Sequence, residues 1–211
     1  MQKISVTKPV KIAITGKIGS GKSTISEILI KLGYKVFESD KEVSLLFDNN
    51  SITKKIITIF SKKIKNLVNS KGKINRIALG NFVFSNKSEL TKLEKIIHPL
   101  LSKKKKEFIQ LESKEKILFF DIPLLFEKKL FKEFHFIIYL YIDKKNQFKR
   151  VLKRKGMTKD KFEEIYKFQD HDLKRNSKFI SLRLDTSKSK KEVKKNLISF
   201  IISLGWNEKL S

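Results

Sequence analysis

The first forty residues contain two hydrophobic patterns that differ in period. Val10–Thr15 is a short apolar run rich in β-branched residues and is followed directly by glycine, which is typical of a buried strand in a parallel sheet. Over Ser23–Leu32 the apolar residues recur at helical spacing, and Gly33 ends the pattern. A second strand is predicted at Lys35–Glu38. A strand, a helix and a strand in this order indicate an α/β fold.

The rest of the chain continues with helical patterns before strand-like runs return. The predicted segments are mostly helical at Lys41–Phe108 with one turn at Ser70–Lys73, strands at Lys116–Asp121 and Phe136–Ile142, a charged helical segment at Lys144–Arg175, and a last helix at Lys190–Leu204. Both later strands are apolar on both faces, which predicts burial within a parallel sheet. The sequence has no internal repeat and no linker rich in Pro, Gly and Ser, so we expect one domain.

Composition narrows the classes of protein that this chain can represent. The 211 residues are 40% hydrophobic and include no cysteine, which excludes disulfides and thiolate metal sites. No apolar run is long enough to span a bilayer, and Met1–Pro9 lacks the apolar stretch of a signal peptide. We therefore expect a cytoplasmic protein with no membrane partner.

The formal net charge of +26 has two interpretations. A field of this size attracts nucleic acids, nucleotides and other anions. A composition heavy in Lys, Ile, Phe and Asn, of the kind that an AT-rich genome imposes on all its proteins, gives the same charge without such a partner. Because the lysines are scattered and form no single patch interleaved with aromatic residues, we favour composition and expect no specific nucleic-acid partner.

The turn between the first strand and the first helix carries the clearest motif. Gly16, four further residues and then Gly21-Lys22-Ser23 match the phosphate-binding loop of nucleotide-binding proteins in full. The glycines let successive N–H groups point inward as an anion nest, and the helix adds its positive end. Lys22 can reach the β- and γ-phosphates, and the Ser23 hydroxyl can bind Mg²⁺. The expected nucleotide-binding residues are Gly16, Gly19, Ser20, Gly21, Lys22, Ser23 and Thr24.

Two carboxylates follow predicted strands and are candidates for the chemistry. Asp40 comes after the second strand, and the carboxyl ends of parallel strands border the ligand crevice. There it can accept a proton from a substrate hydroxyl or hold Mg²⁺ through water; the alternative is a cap for a helix beginning at Lys41. Asp121 ends a later strand, where support of Mg²⁺ and a buried strand-end cap are both open interpretations.

Arginine is scarce beside lysine, and Arg150, Arg154 and Arg175 cluster in the late charged segment. Arg150 and Arg154 are four residues apart and so share one helical face. Arginines on a mobile lid clamp the transferring phosphate in phosphoryl-transfer enzymes. A solvated helix face is the alternative, but beside a phosphate loop we favour the lid.

The guanine-reading motif of a GTPase is missing, because its nearest match, Asn86–Glu89, ends in the wrong acid and is typical of a helix-capping turn.

Together these motifs resemble the dephospho-coenzyme A kinase family over nearly the whole chain. The family's Thr-Gly-Gly-Ile-Gly-Ser-Gly-Lys-Ser/Thr-Thr loop is similar to Thr15–Thr24 and departs only at Lys17, and its Asp-Ala-Asp is similar to Glu38–Asp40. Further matches, in the family's order, are Arg76–Phe84, His98-Pro99, Pro123–Glu127, the lid pattern Arg150, Arg154 and Gly156–Thr158, and Gln169. The family's late pattern around 178–187 keeps only Asp185 and Ser187, so adenine contacts are not carried over.

The resemblance implies a three-layer P-loop kinase fold with a parallel sheet, a helical substrate-binding insertion and a helical lid. It divides the single domain 1–211 into a nucleotide-binding core at 9–40, 98–143 and 176–211, a substrate part at 41–97 and a lid at 144–175. The implied site residues are Asp40, Lys22, Arg150 and Arg154 for catalysis, Asp40, Arg76, His98, Pro123 and Leu124 for the substrate, and Ser23 and Asp121 for Mg²⁺. His98 is expected at a helix end, as a structural hydrogen-bonding residue.

The implied reaction is transfer of the ATP γ-phosphoryl group to the ribose 3′-hydroxyl of dephospho-coenzyme A, with ATP and Mg²⁺ as cofactors. Asp40 would orient or deprotonate that hydroxyl. Two alternatives stay open. One is another small-molecule P-loop kinase that acts on a nucleoside or nucleotide. The other is a nucleic-acid-binding ATPase, which only the net charge supports. The sequence does not indicate an oligomeric state.

Overall fold

The computed structural model describes residues 8–154, 156–169 and 173–205, without the side chain of Lys174. The described chain forms two compact units. The first contains the residues up to Glu38 and from Ile109 onward, and the second contains Ser39–Phe108. The second unit therefore includes the whole helical part predicted at 41–97.

A five-stranded parallel sheet is the centre of the first unit. Its strands are β1 (Val10–Thr15), β2 (Lys35–Glu38), β3 (Ile117–Asp121), β4 (Phe136–Tyr141) and β5 (Leu182–Asp185), in the spatial order β2-β3-β1-β4-β5. Every neighbouring pair is parallel, so the carboxyl ends of the five strands lie at one edge, where such sheets bind ligands. β1 is central because Ile12–Thr15 are fully buried.

Helices account for most of the remaining described chain. They are α1 (Lys22–Lys31), α2 (Ser39–Leu46), α3 (Asn50–Phe60), α4 (Arg76–Phe84), α5 (Lys87–Leu111), α6 (Lys144–Leu152), α7 (Lys159–Phe168), α8 (Leu173–Asn176) and α9 (Lys190–Ser203). Leu29 of α1 and Leu197 of α9 belong to one buried cluster with Ile12 of the sheet. Each fully buried side chain of this size contributes roughly 1.5–3 kcal/mol. The predicted α/β fold with a parallel sheet is confirmed.

The second unit is helical and has a core of its own. Ile56, Phe60 and Leu79 are almost fully buried in a cluster built from α2–α5. The turn predicted at Ser70–Lys73 is present, since a bridge pairs Val68 with Ile74 around it.

The start of α5 is a capping turn, as the sequence predicts. Asn86 Oδ1 accepts hydrogen bonds from the N–H groups of Ser88 at 3.1 Å and Glu89 at 3.4 Å. These bonds satisfy amides that have no partner within the helix.

The middle of α5 differs from expectation. His98 and Pro99 lie inside this 25-residue helix and both are exposed, so the prediction of a helix end at His98 is wrong. A proline removes one helical hydrogen bond and crowds the preceding turn. Here the helix continues because Ile97 on one side of Pro99 and Leu100 and Leu101 on the other all contact the same core. That apolar burial outweighs the local cost.

Candidate nucleotide-binding site

The loop between β1 and α1 has the shape of an anion cradle. Gly19 and Gly21 have φ values of 77° and 94°, which residues with a side chain rarely adopt. The Ser20 N–H donates to the Lys17 carbonyl at 3.1 Å, closing a tight turn. Gly16, Gly19 and Ser20 of the predicted binding set are buried in this loop. Such a turn directs consecutive amides toward one point in front of the helix.

The first residues of α1 complete the cradle with polar side chains. Lys22 folds back over the loop, where its Nζ donates to the Gly16 carbonyl at 2.8 Å. Its ammonium group therefore lies beside the loop. Ser23 and Thr24 follow in the first turn and are exposed, so their hydroxyls are accessible to a ligand in front of the helix.

Arg150 on α6 joins the loop to the end of β5. Its Nη1 donates to the Gly19 carbonyl at 3.3 Å and to Thr186 Oγ1 at 3.2 Å, and its Nη2 donates to the Thr186 carbonyl at 2.7 Å. Thr186 Oγ1 in turn donates to the Ser20 carbonyl at 2.8 Å. The guanidinium thus lies beside the phosphate cradle and also holds its backbone. Arg154, one turn further, is exposed.

The predicted lid segment packs directly on the loop. Ile18 of the loop forms a small buried cluster with Val151 of α6 and Phe162 of α7. A Cβ added at Gly19 would lie 2.8 Å from the Gln147 carbonyl oxygen and 2.9 Å from Val151 Cγ2. Only glycine allows α6 to approach the loop this closely.

Asp121 is the last residue of β3 and is 8% exposed. In the sheet register it pairs with Ile14 of β1 and Glu38 of β2, so it stands at the edge of the sheet from which the loop leaves. Pro123 and Leu124 follow it and are half-buried. The Ile122 N–H continues the sheet by donating to the Ile14 carbonyl at 3.0 Å. The first unit therefore brings the loop, Arg150, Asp121 and the Pro123-Leu124 turn to one region.

Three predicted residues lie in the second unit. Asp40 is exposed in the first turn of α2, which begins at Ser39. It is therefore inside the helix, and its alternative interpretation as a cap in front of a helix beginning at Lys41 is wrong. His98 is exposed in the middle of α5.

Arg76 begins α4 and is held by its own unit. Its Nη2 donates to the Ser44 carbonyl at 2.8 Å and to Asp48 Oδ2 at 3.3 Å, and its guanidinium lies 5.4 Å from the centre of the Phe47 ring. These contacts fix the direction of the side chain while 43% of it stays accessible. A fixed, accessible guanidinium is suited to binding an anionic group.

Comparison with known proteins decides the family. A model of the dephospho-CoA kinase family (CoaE) matches residues 10–186, which include the loop, α6 and Thr186. The chain belongs to this family. The dephospho-CoA kinase of Fusobacterium nucleatum is 36% identical over 75% of this chain and 80% of its own length. That of Bartonella quintana is 33% identical over 92% of this chain and 97% of its own.

Solved structures agree with membership of the dephospho-CoA kinase family. TT1252 from Thermus thermophilus superposes with a TM-score of 0.78 at 26% identity, covering 94% of this chain and 98% of that one. The dephospho-CoA kinase from Campylobacter jejuni superposes with a TM-score of 0.64 at 27% identity and the same coverage. A shikimate kinase from Acinetobacter baumannii shares the fold at 14% identity and a TM-score of 0.51, covering 93% of this chain and 94% of that one. Membership of the dephospho-CoA kinase family shows that the chain is an ATP-dependent kinase, and the solved structures show its P-loop fold.

The donor set of this kinase fits Mg²⁺ held jointly with phosphates. Mg²⁺ prefers hard oxygen ligands and usually takes one or two from the protein, with the others from phosphates and water. Ser23 and Asp121 offer one hydroxyl and one carboxylate. Among the described residues no cluster of three or more His, Asp or Glu side chains could hold a metal by itself.

No helix in the described ranges is long and apolar enough to cross a membrane.

The sequence reasoning missed Thr186 as a residue of this site. Its signal was weak because the family's pattern around 178–187 is mostly lost and a lone threonine indicates no particular role. Asp185 keeps the turn in place, since its Oδ1 accepts the Ser187 N–H at 2.9 Å. That hydrogen bond is the main reason why the pKa of Asp185 lies below its usual value.

Proposed function

We propose that this kinase transfers the γ-phosphoryl group of ATP to the ribose 3′-hydroxyl of dephospho-coenzyme A. The observation that carries the proposal is the fold of the loop Gly16–Ser23, with the Lys22 ammonium donating to the Gly16 carbonyl at 2.8 Å, in a chain of this family. In phosphoryl transfer most of the catalysis comes from positioning and from stabilising negative charge. A lysine and a ring of amides serve both needs.

Each candidate residue has a chemical role in the proposal. The loop amides and Lys22 bind the β- and γ-phosphates, and the hydroxyl of Thr24 is available to the α-phosphate. Arg150 and Arg154 stabilise the charge that spreads over the transferred group. Ser23 and Asp121 would hold Mg²⁺, which would supply Lewis-acid polarisation of the phosphate oxygens.

The proposal also assigns residues to the acceptor, dephospho-coenzyme A. Asp40, exposed in the first turn of α2, accepts a hydrogen bond or a proton from the 3′-hydroxyl. The guanidinium of Arg76 binds an anionic group of the substrate, and Pro123 and Leu124 supply apolar contact. His98, exposed on α5, completes the proposed substrate residues. The cytoplasmic location also stays a prediction.

The test compares phosphate acceptors, one matched pair of variants and one further variant. Purified protein is given ATP with dephospho-coenzyme A, pantetheine, nucleosides or nucleoside monophosphates, and each product is identified by its mass. We expect phosphorylation of dephospho-coenzyme A at least 100-fold faster than of the others. A preference for a nucleoside or nucleotide would refute the acceptor. ATP hydrolysis stimulated by RNA or DNA, with steep salt dependence, would favour the nucleic-acid alternative.

The variants test the assigned roles. Asp40→Asn is expected to lower kcat by roughly 10²–10⁴-fold, the range of general-base catalysis. Glu42→Gln, on the same first turn of α2, is the matched control and is expected to keep its activity. Lys22→Ala is expected to lower kcat/KM by roughly 10²-fold or more, as for other charge-stabilising groups. Normal turnover by Asp40→Asn would contradict its role as the base.

A further inference from the structure

The residue that ends α7 contacts the phosphate loop through its side chain. Gln169 is 7% exposed, and its Oε1 accepts a hydrogen bond from the Ile18 N–H at 2.6 Å. Its own backbone is fixed, because the Gln169 N–H donates to the Ile165 carbonyl at 2.9 Å as the cap of α7. The bond therefore joins the loop to a helix end 151 positions later in the chain.

The bonded amide belongs to the phosphate cradle itself. Ile18 lies between Lys17 and Gly19, and its side chain is 8% exposed in the cluster with Val151 and Phe162. A buried N–H without a partner is unfavourable, so the loop without Gln169 would turn this amide toward water. With Gln169 present, the Ile18 amide has a hydrogen-bond partner in the conformation that the loop has here.

A second contact from α7 supports the same half of the loop. The Nζ of Lys17, the residue that departs from the family's glycine, lies 4.1 Å from the centre of the Tyr166 ring. Lys144 lies over the same ring at 4.9 Å and pairs with Glu163 of α7 at 2.7 Å. A cation over an aromatic face is attracted to it. Two neighbouring loop residues, Lys17 and Ile18, are thus held by one helix.

We propose that Gln169 is a positioning residue for nucleotide binding: its side-chain oxygen fixes the Ile18 amide and so keeps the phosphate loop in its binding conformation. The inference rests on the proposed binding of ATP by this loop. Gln169 acts through the loop backbone, and no contact with substrate is assigned to it. Its loss should therefore weaken nucleotide binding more than it slows the chemical step.

The test removes the hydrogen-bond acceptor of the Gln169 side chain and leaves the volume of that side chain nearly unchanged. Gln169→Met removes the hydrogen bond, whereas Gln169→Glu keeps an oxygen at the same distance. Gln147→Met is the matched control: Gln147 is 3% exposed on the neighbouring helix α6, and its Oε1 has no hydrogen-bond partner within the described residues. We measure ADP binding by calorimetry and KM and kcat for ATP.

We expect Gln169→Met to weaken ADP binding and raise the KM for ATP by about 10-fold, equivalent to about 1.4 kcal/mol, with kcat within threefold of the original. The affinity of Gln169→Glu for ADP should lie between those of Gln169→Met and the original protein. Gln147→Met should bind ADP as the original protein does. Unchanged ADP binding in Gln169→Met, or equal losses in Gln169→Met and Gln147→Met, would overturn the inference. Because ADP binding needs no acceptor, a chain that binds ADP but leaves dephospho-coenzyme A unmodified would refute the proposed function alone.

Discussion

Gly19→Ala should destabilise the first unit through a clash that the structure locates. Gly19 has a φ of 77°, and an added Cβ would lie 2.8 Å from the carbonyl oxygen of Gln147, 3.1 Å from its Cα and 2.9 Å from Val151 Cγ2. Two of these atoms belong to the backbone of α6 and cannot rotate away. The methyl group therefore requires α6 to move, or the loop to leave its conformation.

The loss of unfolding free energy in Gly19→Ala has two contributions, backbone strain and overpacking, and alanine variants at two other glycines distinguish them. A left-handed conformation costs a residue with a side chain roughly 1–2 kcal/mol, and overpacking typically adds about 1–3 kcal/mol. Gly19→Ala should incur both, about 2–5 kcal/mol in total. At Gly21, φ is 94° but the nearest atoms are Arg150 Nη1 at 3.5 Å and Thr186 Cβ at 3.7 Å, so only the strain applies. At Gly72, φ is 73° and nothing lies within 4 Å.

The measurement is the free energy of unfolding in denaturant, without nucleotide, for the three alanine variants. Gly72→Ala lies in the second unit, so it reports the strain away from the loop. We expect Gly21→Ala and Gly72→Ala to lose similar amounts, and Gly19→Ala to lose at least about 1 kcal/mol more. If Gly19→Ala lost no more than Gly21→Ala, the close contact between α6 and the loop would be refuted.

Two further predictions concern buried or bonded groups near the sheet. Burial raises the pKa of Tyr139 to about 12. Because the phenol of the unfolded chain ionises near pH 10, the unfolding free energy should keep its full value below pH 10 and fall by at most about 3 kcal/mol by pH 12. Tyr139→Phe should lose less over this range, and an identical loss would contradict the assignment. Arg150→Lys keeps the charge but not the fork that bonds Thr186 and Gly19, so it should lower unfolding stability by about 1 kcal/mol. Arg154→Lys is its control in the same denaturation experiment, and equal effects would speak against the fork.

Three sheet strands were predictable because their residues are apolar on both faces, and the short β2 (Lys35–Glu38) was predictable from its place directly after the helix that Gly33 ends. β1, β3 and β4 have long buried runs, and the glycine loop fixes the end of β1. β5 (Leu182–Asp185) was not predicted, because its alternating apolar and polar residues are short and only Leu184 is fully buried. An edge strand of this kind is specified by its pairing with β4, from Ile138–Leu182 to Tyr141–Asp185, and not by a local pattern.

The loop was predictable because its motif lies within one short stretch of sequence. The residues that contact the loop from elsewhere in the chain were not predictable in this way. Gly16–Ser23 can be read from a single stretch, and Lys22 and Ser23 follow from the same motif. Thr186 and Gln169 contact the loop only after the chain has folded. Gln169 is more than 150 positions from Ile18 in the sequence. A threonine or glutamine has no periodic or charge signal that would indicate such a contact. Resemblance to a family pointed to Gln169, but not to the amide that it bonds.

The contacts of Arg150 suggest a second role for the predicted lid segment, which is to hold the backbone of the phosphate loop. Arg150 was expected to clamp the transferring phosphate as part of a mobile lid, and its guanidinium also contacts Gly19 and Thr186. A guanidinium has five donor hydrogens, so these bonds leave others for a phosphate in the cradle beside it. The same side chain can therefore hold the backbone of the loop and share the charge of a bound phosphate. Since α6 also packs on Gly19 and Gln169 bonds Ile18, a movement of this segment would have to carry the loop with it or break these contacts. We therefore expect phosphate binding to depend on the position of this segment.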